Sequence, residues 1–235
     1  MLNTSATQNA IVNADNINAS GIRTTRPVNT SGTHTVFAIL DWGFKVRGLN
    51  TTFTLGGSTL FTGNVNFVNG VRNNIRNISY TPRARANYSY KEKIYIAAEA
   101  RTSYNRVKYS LDPSLNAHYR QQEYSLEARV VLPLGVGIQS DVTYTSNTGK
   151  PAGFNTFFTK WNAAFTKQVL KNKKGELKLS VTDILNQDEG TSRNANQSYI
   201  EDVTYKTLRR YYLIGFTYSL SRTSDMATKA VIRTF

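Results

Sequence analysis

Runs of roughly 9–14 residues that alternate apolar with polar side chains recur along the chain, and short and long connections take turns in joining them. In YSLEARVVL, Leu126, Ala128, Val130 and Leu132 stand against Glu127 and Arg129. In VGIQSDVTY, Val136, Ile138, Val142 and Tyr144 stand against Gln139, Asp141 and Thr143. Successive side chains of a strand point to opposite faces, so each run has one oily face and one wet, charged face. A soluble sandwich would pack its oily faces on a second sheet. Here those faces are rich in Tyr, Phe, Trp and Ala. Together with charged wet faces, that composition predicts a transmembrane β-barrel, oily outside and polar inside.

Composition narrows the choice. No stretch approaches the ~20 apolar residues of a spanning helix, and the mean hydropathy of −0.41 excludes a bundle of such helices. Neither value counts against a barrel, in which every second strand residue faces lipid. The 14 Tyr, 11 Phe and 2 Trp suit aromatic girdles at the two membrane boundaries. With no Cys, the chain has neither a disulfide scaffold nor a thiolate metal site. The net charge of +14 fits either a nucleic-acid surface or a barrel with basic lumen, loops and turns that meet anionic lipid. The charges are dispersed, and the one tight run, KNKK at Lys171–Lys174, falls at an expected turn. No recognition helix or stacking aromatic motif accompanies it, so no nucleic-acid partner is expected.

The pattern predicts an antiparallel all-β chain of about nine strands. Residues 1–33, rich in Asn, Thr and Ser, read as polar loop or a poorly ordered start, 34–220 as the barrel segment, and 221–235 as a tail. Short connections at 47–49, 90–92, 133–135 and 171–175 alternate with long ones at 62–75, 109–117, 147–156 and 185–206. Outer-membrane barrels sort tight periplasmic turns from long outer loops in this way. A soluble sandwich has no reason to do so.

Four segments, FVNGVRNN at 67–74, NISYTPRARANYSY at 77–90, LKLSVTDILNQDEGTSR at 177–193 and SYIEDVTYKTLRRYYLIGFTYSL at 198–220, carry a resemblance. From about Phe67 to Leu220 the chain resembles the C-terminal barrel portion of Bacteroidetes-type TonB-dependent receptor-like outer-membrane proteins. The last two segments are the most specific, with an Asp-x-Leu-Asn-Gln element followed by Tyr-Ile-Glu-Asp and a closing strand. The resemblance implies a location in the outer membrane of a Gram-negative bacterium and energy-coupled uptake of a nutrient such as a glycan, peptide or metal chelate. It also implies a plug, a surface lipoprotein and a TonB-type energiser as partners. A full relative has a barrel of about 22 strands around that plug, so the chain is expected to be a fragment that pairs with further strands. No positively charged, apolar leader opens it, and an open sheet edge in lipid would leave peptide groups unpaired. A small closed barrel is the alternative if residues 1–30 add a strand.

Candidate chemistry is sparse. His34 and His118 lack the neighbours of a zinc site, Gly135-x-Gly137 opens no helix, and no Ser has a base and an orienter. No enzyme activity, cofactor or metal is therefore expected. In the longest expected loop, Asp188, Glu189, Glu201 and Asp202 are candidates for capturing a cation or cargo, although solvated loop charge explains them as well. The wet-face residues Arg83, Arg85, Glu99, Arg101, Glu127, Arg129, Asp141 and Lys178 are candidate lumen residues, either cross-linking strands through ion pairs or contacting cargo. Two other readings remain open: a soluble, basic β-sheet module that binds carbohydrate or nucleic acid, and a passive structural barrel. The face assignment is testable by unfolding in lipid. Ala128→Arg is expected to cost about 2–4 kcal/mol or block assembly, and Arg129→Gln to be mild. Equal tolerance at the two sites would reverse the assignment.

Overall fold

In the computed structural model, which describes residues 1–149, 155–188, 190–195 and 200–220, the chain is almost entirely antiparallel strand. The strands are β1 (Leu2–Thr7), β2 (Ala10–Ile17), β3 (Arg23–Thr30), β4 (Thr33–Val46), β5 (Thr51–Val68), β6 (Val71–Tyr90), β7 (Ile94–Tyr109) and β8 (Ala117–Leu132). They continue as β9 (Val136–Thr148), β10 (Thr156–Val169), β11 (Gly175–Thr182), β12 (Gly190–Ala195), β13 (Ile200–Tyr205) and β14 (Tyr211–Tyr218). One sheet of 12 strands runs in the order β1-β4-β5-β6-β7-β8-β9-β10-β11-β14, with β2 joined to β5 and β3 to β2, while β12 and β13 form a separate hairpin. Among the described residues β1 and β14 each have a single neighbour, so this sheet is open.

All nine expected strands are present, and the expected count is too low. Residues 1–33, read as loop, form β1, β2 and β3. Their sequences lack an apolar alternation, and backbone pairing with polar closures holds them. Asn18 Oδ1 accepts the Ser20 and Ile22 N–H groups at 3.0 and 2.9 Å to close the β2–β3 turn. Arg23 donates to Asp15 across it at 2.7 Å. The long loop expected at 62–75 is also corrected: β5 and β6 run through it and reverse at Asn69-Gly70, both with positive φ (51° and 79°). Asn-Gly favours such a two-residue hairpin turn, but its Asn-rich flanks disguise the strands. Part of the expected 185–206 loop is the β12–β13 hairpin.

Register sorts every side chain. Leu126 lies opposite Ala98 and Val142, and Val142 opposite Trp161. The same row parity carries Leu55, Trp42 and Phe53 at one side of the sheet, and Leu179, Ile214 and Phe216 at the other. This apolar face is bare: Trp42 is 63% exposed, Leu126 51% and Ile214 82%. Among the described residues no second sheet covers it. The buried apolar residues among those described are Val12, Val65, Ile75, Ala97, Val107 and Tyr109. All but Ala97 sit toward the long-connection end, where Ile75, Val107 and Tyr109 pack together with Tyr119. The dry core of a soluble sandwich is missing where the strands are most apolar.

The bare face has the dimensions of a membrane band. From Ile94 to Tyr104 on β7 is about 33 Å along the strand at ~3.3 Å per residue, or about 25 Å of height at a ~40° tilt. Aromatics mark its two borders. Phe44 and Phe53 meet near the short turns with centroids 5.5 Å apart, and Tyr124 and Tyr144 stack toward the loops at 6.3 Å. In β6, Pro82 lacks an N–H, and the ladder to β7 skips Thr81 and Pro82. The Thr81 hydroxyl donates to Ser103 Oγ at 3.0 Å across that gap.

Gly56 marks the closest approach on the other face. It lies between Asp41 of β4 and Arg83 of β6 in one row, and a Cβ there would overlap the Asp41 carboxylate and lie 2.6 Å from the Leu40 carbonyl oxygen. Gly56→Ala is expected to lower stability by about 1–3 kcal/mol, read as an earlier denaturant midpoint in micelles. Adding Asp41→Ala should recover part of that loss.

Candidate functional site: the charged face

Residues opposite one another in the ladder share a face. By that rule Arg83, Arg85, Glu99, Arg101, Glu127, Arg129, Asp141 and Lys178 all lie on the face opposite the bare apolar one. Asp41, Lys45, Glu123, Lys160 and Glu176 join them. Every Asp and Glu of β4–β11 and β14 is on this side.

Ion pairs stitch the face across strands. Asp41, Gly56, Arg83, Arg101 and Glu123 form one continuous row over five strands. The two arginines stand side by side and turn apart. Arg83 Nε reaches Asp41 Oδ1 at 3.0 Å over Gly56, and Arg101 reaches Glu123 at 2.7 Å. Arg85 pairs with Glu99 at 3.3 Å and touches the Tyr95 hydroxyl at 3.3 Å. Arg129 pairs with Glu127 along β8 and lies 5.6 Å from the Tyr95 ring centroid. Asn162 donates to Asp141 at 2.6 Å. The paired arginine side chains remain 40–48% exposed, so each bridge is worth no more than about 1 kcal/mol. They tie neighbouring residues of the sheet together and make this side continuously polar.

Sequence reasoning missed Asp41 and Glu123. Asp41 hides in FAILDWGF, where Phe37 and Ile39 on its own face are apolar too, so local alternation does not reveal the side. Pairing with β5 does.

The Asp-x-Leu-Asn-Gln element is a knot at the long-connection end. Asp183 is fully buried, with φ 50°, and its carboxylate accepts the backbone N–H groups of Gln187 and Asp188 at 3.0 Å each. Asn162 of β10 accepts the Asp183 N–H at 2.9 Å. The Trp161 carbonyl accepts Ile184 N–H at 2.7 Å, and Asn186 Oδ1 accepts the Arg210 N–H at 3.3 Å. β10, β11 and the start of β14 are tied together here. Of the loop candidates, Asp188 receives Lys160 at 2.8 Å. Glu189 lies outside the described residues. Glu201 and Asp202 are in β13, opposite Asn194 and Arg193, and their side chains lie outside the described residues. No group of three or more His, Asp or Glu that could hold a metal occurs among the described residues. His34 rests against Phe61 at 5.1 Å, and His118 is exposed on β8.

Asp183→Ala would leave two backbone donors without their acceptor, at about 2–4 kcal/mol. Asp183→Asn keeps one acceptor and tolerates positive φ, so it should be milder. Unfolding midpoints of the two variants check this order.

No match is found among curated proteins or solved structures. A model of the outer membrane protein beta-barrel family matches residues 2–218, from β1 through the last residue of β14. With a bare apolar face of membrane height, aromatic borders and an ion-paired polar face behind it, the chain belongs to the outer membrane protein β-barrel family.

Proposed function

We propose that the chain is wall of a TonB-dependent receptor-like importer, with its charged face lining the passage and its long connections meeting the cargo. The observation that carries this reading is the asymmetry of the sheet. All eight predicted lumen residues share one partly exposed polar face, and apolar side chains dominate the other. The resemblance of 177–193 and 198–220 to receptor-like barrels supplies the class. In that class a plug fills the lumen, a surface lipoprotein delivers cargo and a TonB-type protein transmits energy. The wall does no chemistry on the nutrient.

A passive barrel is the second reading, favoured by one observation: the arginines at 83, 85, 101 and 129 are each engaged by a carboxylate of the same sheet. Growth of a deletion strain on a panel of oligosaccharides, peptides and iron chelates separates the two. Import predicts loss of growth on one member and accumulation that a protonophore abolishes. Unchanged growth on all of them, with ohmic conductance of the purified protein in planar bilayers, would leave the passive barrel.

A further inference from the structure

The cations on the bare face behave differently from those behind it. β6, β7 and β8 pass through the same outward sequence toward the long connections. Tyr80 and Ile78 lead to Arg76, Tyr104 to Arg106 and Lys108, and Tyr124 and Gln122 to Arg120 and His118. Same-face neighbours are about 6.6 Å apart along a strand, so the cations begin one or two steps beyond the tyrosine border. Register gathers them. Arg106 is opposite both Ile78 and His118, Tyr104 is opposite Tyr80 and Arg120, and Arg76 is opposite Lys108. Ile78, Tyr80, Tyr104, Arg106, His118 and Arg120, all of the bare-face parity, are among the residues that line a cavity of about 550 Å³.

Among the described residues this patch has no anion of its own. Every Asp and Glu of β4–β11 and β14 is on the opposite side of the sheet. The acid of the loop above it, Asp112, is turned to its own turn, accepting the Ser114 N–H at 3.0 Å and hydroxyl at 2.6 Å. Those bonds hold its carboxyl below the usual range. Among the described residues no ion pair or hydrogen bond engages the side chains of Arg76, Arg106, Lys108, His118 or Arg120. A cluster of four permanent cations repels itself unless a counter-charge arrives from outside the chain. The chemistry that satisfies both parts of the site is an acyl chain against Ile78, Tyr80 and Tyr104, joined to a phosphate within reach of the guanidinium forks.

We propose that this patch binds the phosphorylated head group of a lipid in the leaflet on the long-connection side. The proposal rests on the membrane-barrel reading of the bare face. It gives Arg106 and Arg120 the central role, because these two arginines line the cavity itself, with Arg76 and Lys108 beyond them.

The full chain, folded in zwitterionic micelles, is titrated with phosphorylated lipid A, with dephosphorylated lipid A and with inorganic phosphate. Phosphorylated lipid A should bind, and R106Q/R120Q should weaken it tenfold or more. R106K/R120K should keep most of the affinity, and K167Q, an outward cation near the short turns, should change nothing. Comparable binding of dephosphorylated lipid A would overturn the proposal in favour of a purely apolar groove. Displacement of the lipid by millimolar inorganic phosphate would overturn it in favour of a free-phosphate site. Undiminished affinity in R106Q/R120Q, with far-ultraviolet circular dichroism matching the parent chain, would overturn this proposal alone. A chain that stays soluble without detergent would overturn the membrane reading as well.

Discussion

Hydrocarbon offers no partner to a peptide N–H or C=O, and a strand can lie in it only if both edges are paired. From β5 to β9 the ladder meets that demand along most of each strand. Other features depend on this ladder. Pairing fixes register, register fixes the face of each side chain, and the face decides whether a residue meets lipid or water. A slip of one residue in β8 would carry Glu127 and Arg129 to the side now held by Leu126 and Val130. The Thr81–Ser103 side-chain bridge beside Pro82 spans the gap that the ladder leaves at a residue that cannot donate.

The two faces solve different electrostatic problems. On the charged face each arginine of the row finds a carboxylate within the sheet, even where Arg83 and Arg101 stand directly opposite one another. Gly56 makes the longer of these bridges possible by leaving room for Asp41 to reach two strands away. The result is a wall whose polar side is internally neutralised in part and still wet. On the apolar face charge is confined to the ends of strands, beyond the aromatic borders, where it can reach water or head groups. The same residue type therefore serves register on one side and the membrane boundary on the other.

The long-connection end is built more heavily than the short-turn end. β5 and β6 extend well beyond the apolar band, β2 and β3 pack beside them, and most buried apolar residues gather there. At the other side of the sheet Asp183 binds two backbone donors and anchors the turn that follows β11. A cavity of about 650 Å³ between the β2–β3 hairpin and the β5–β6 tip, with Asp15, Arg26 and Phe67 in its lining, belongs to this upper region.

Period-two alternation was strong enough in the sequence to place nine strands, to separate oily from charged sides on β6–β9 and to point to an outer-membrane barrel. It works because each apolar residue there faces lipid independently of which strand lies next to it. The same rule is silent where neither face meets lipid. Residues 2–30 and 62–75 are strands because of their partners and their Asn-mediated turns, and no local pattern marks them. Tertiary pairing also decided which carboxylate meets which arginine, that Asp41 belongs with Arg83, and that Arg76, Arg106, Lys108 and Arg120 converge on one patch. Those outcomes depend on the stagger between neighbouring strands, a property of the ladder as a whole that a single strand's sequence does not contain.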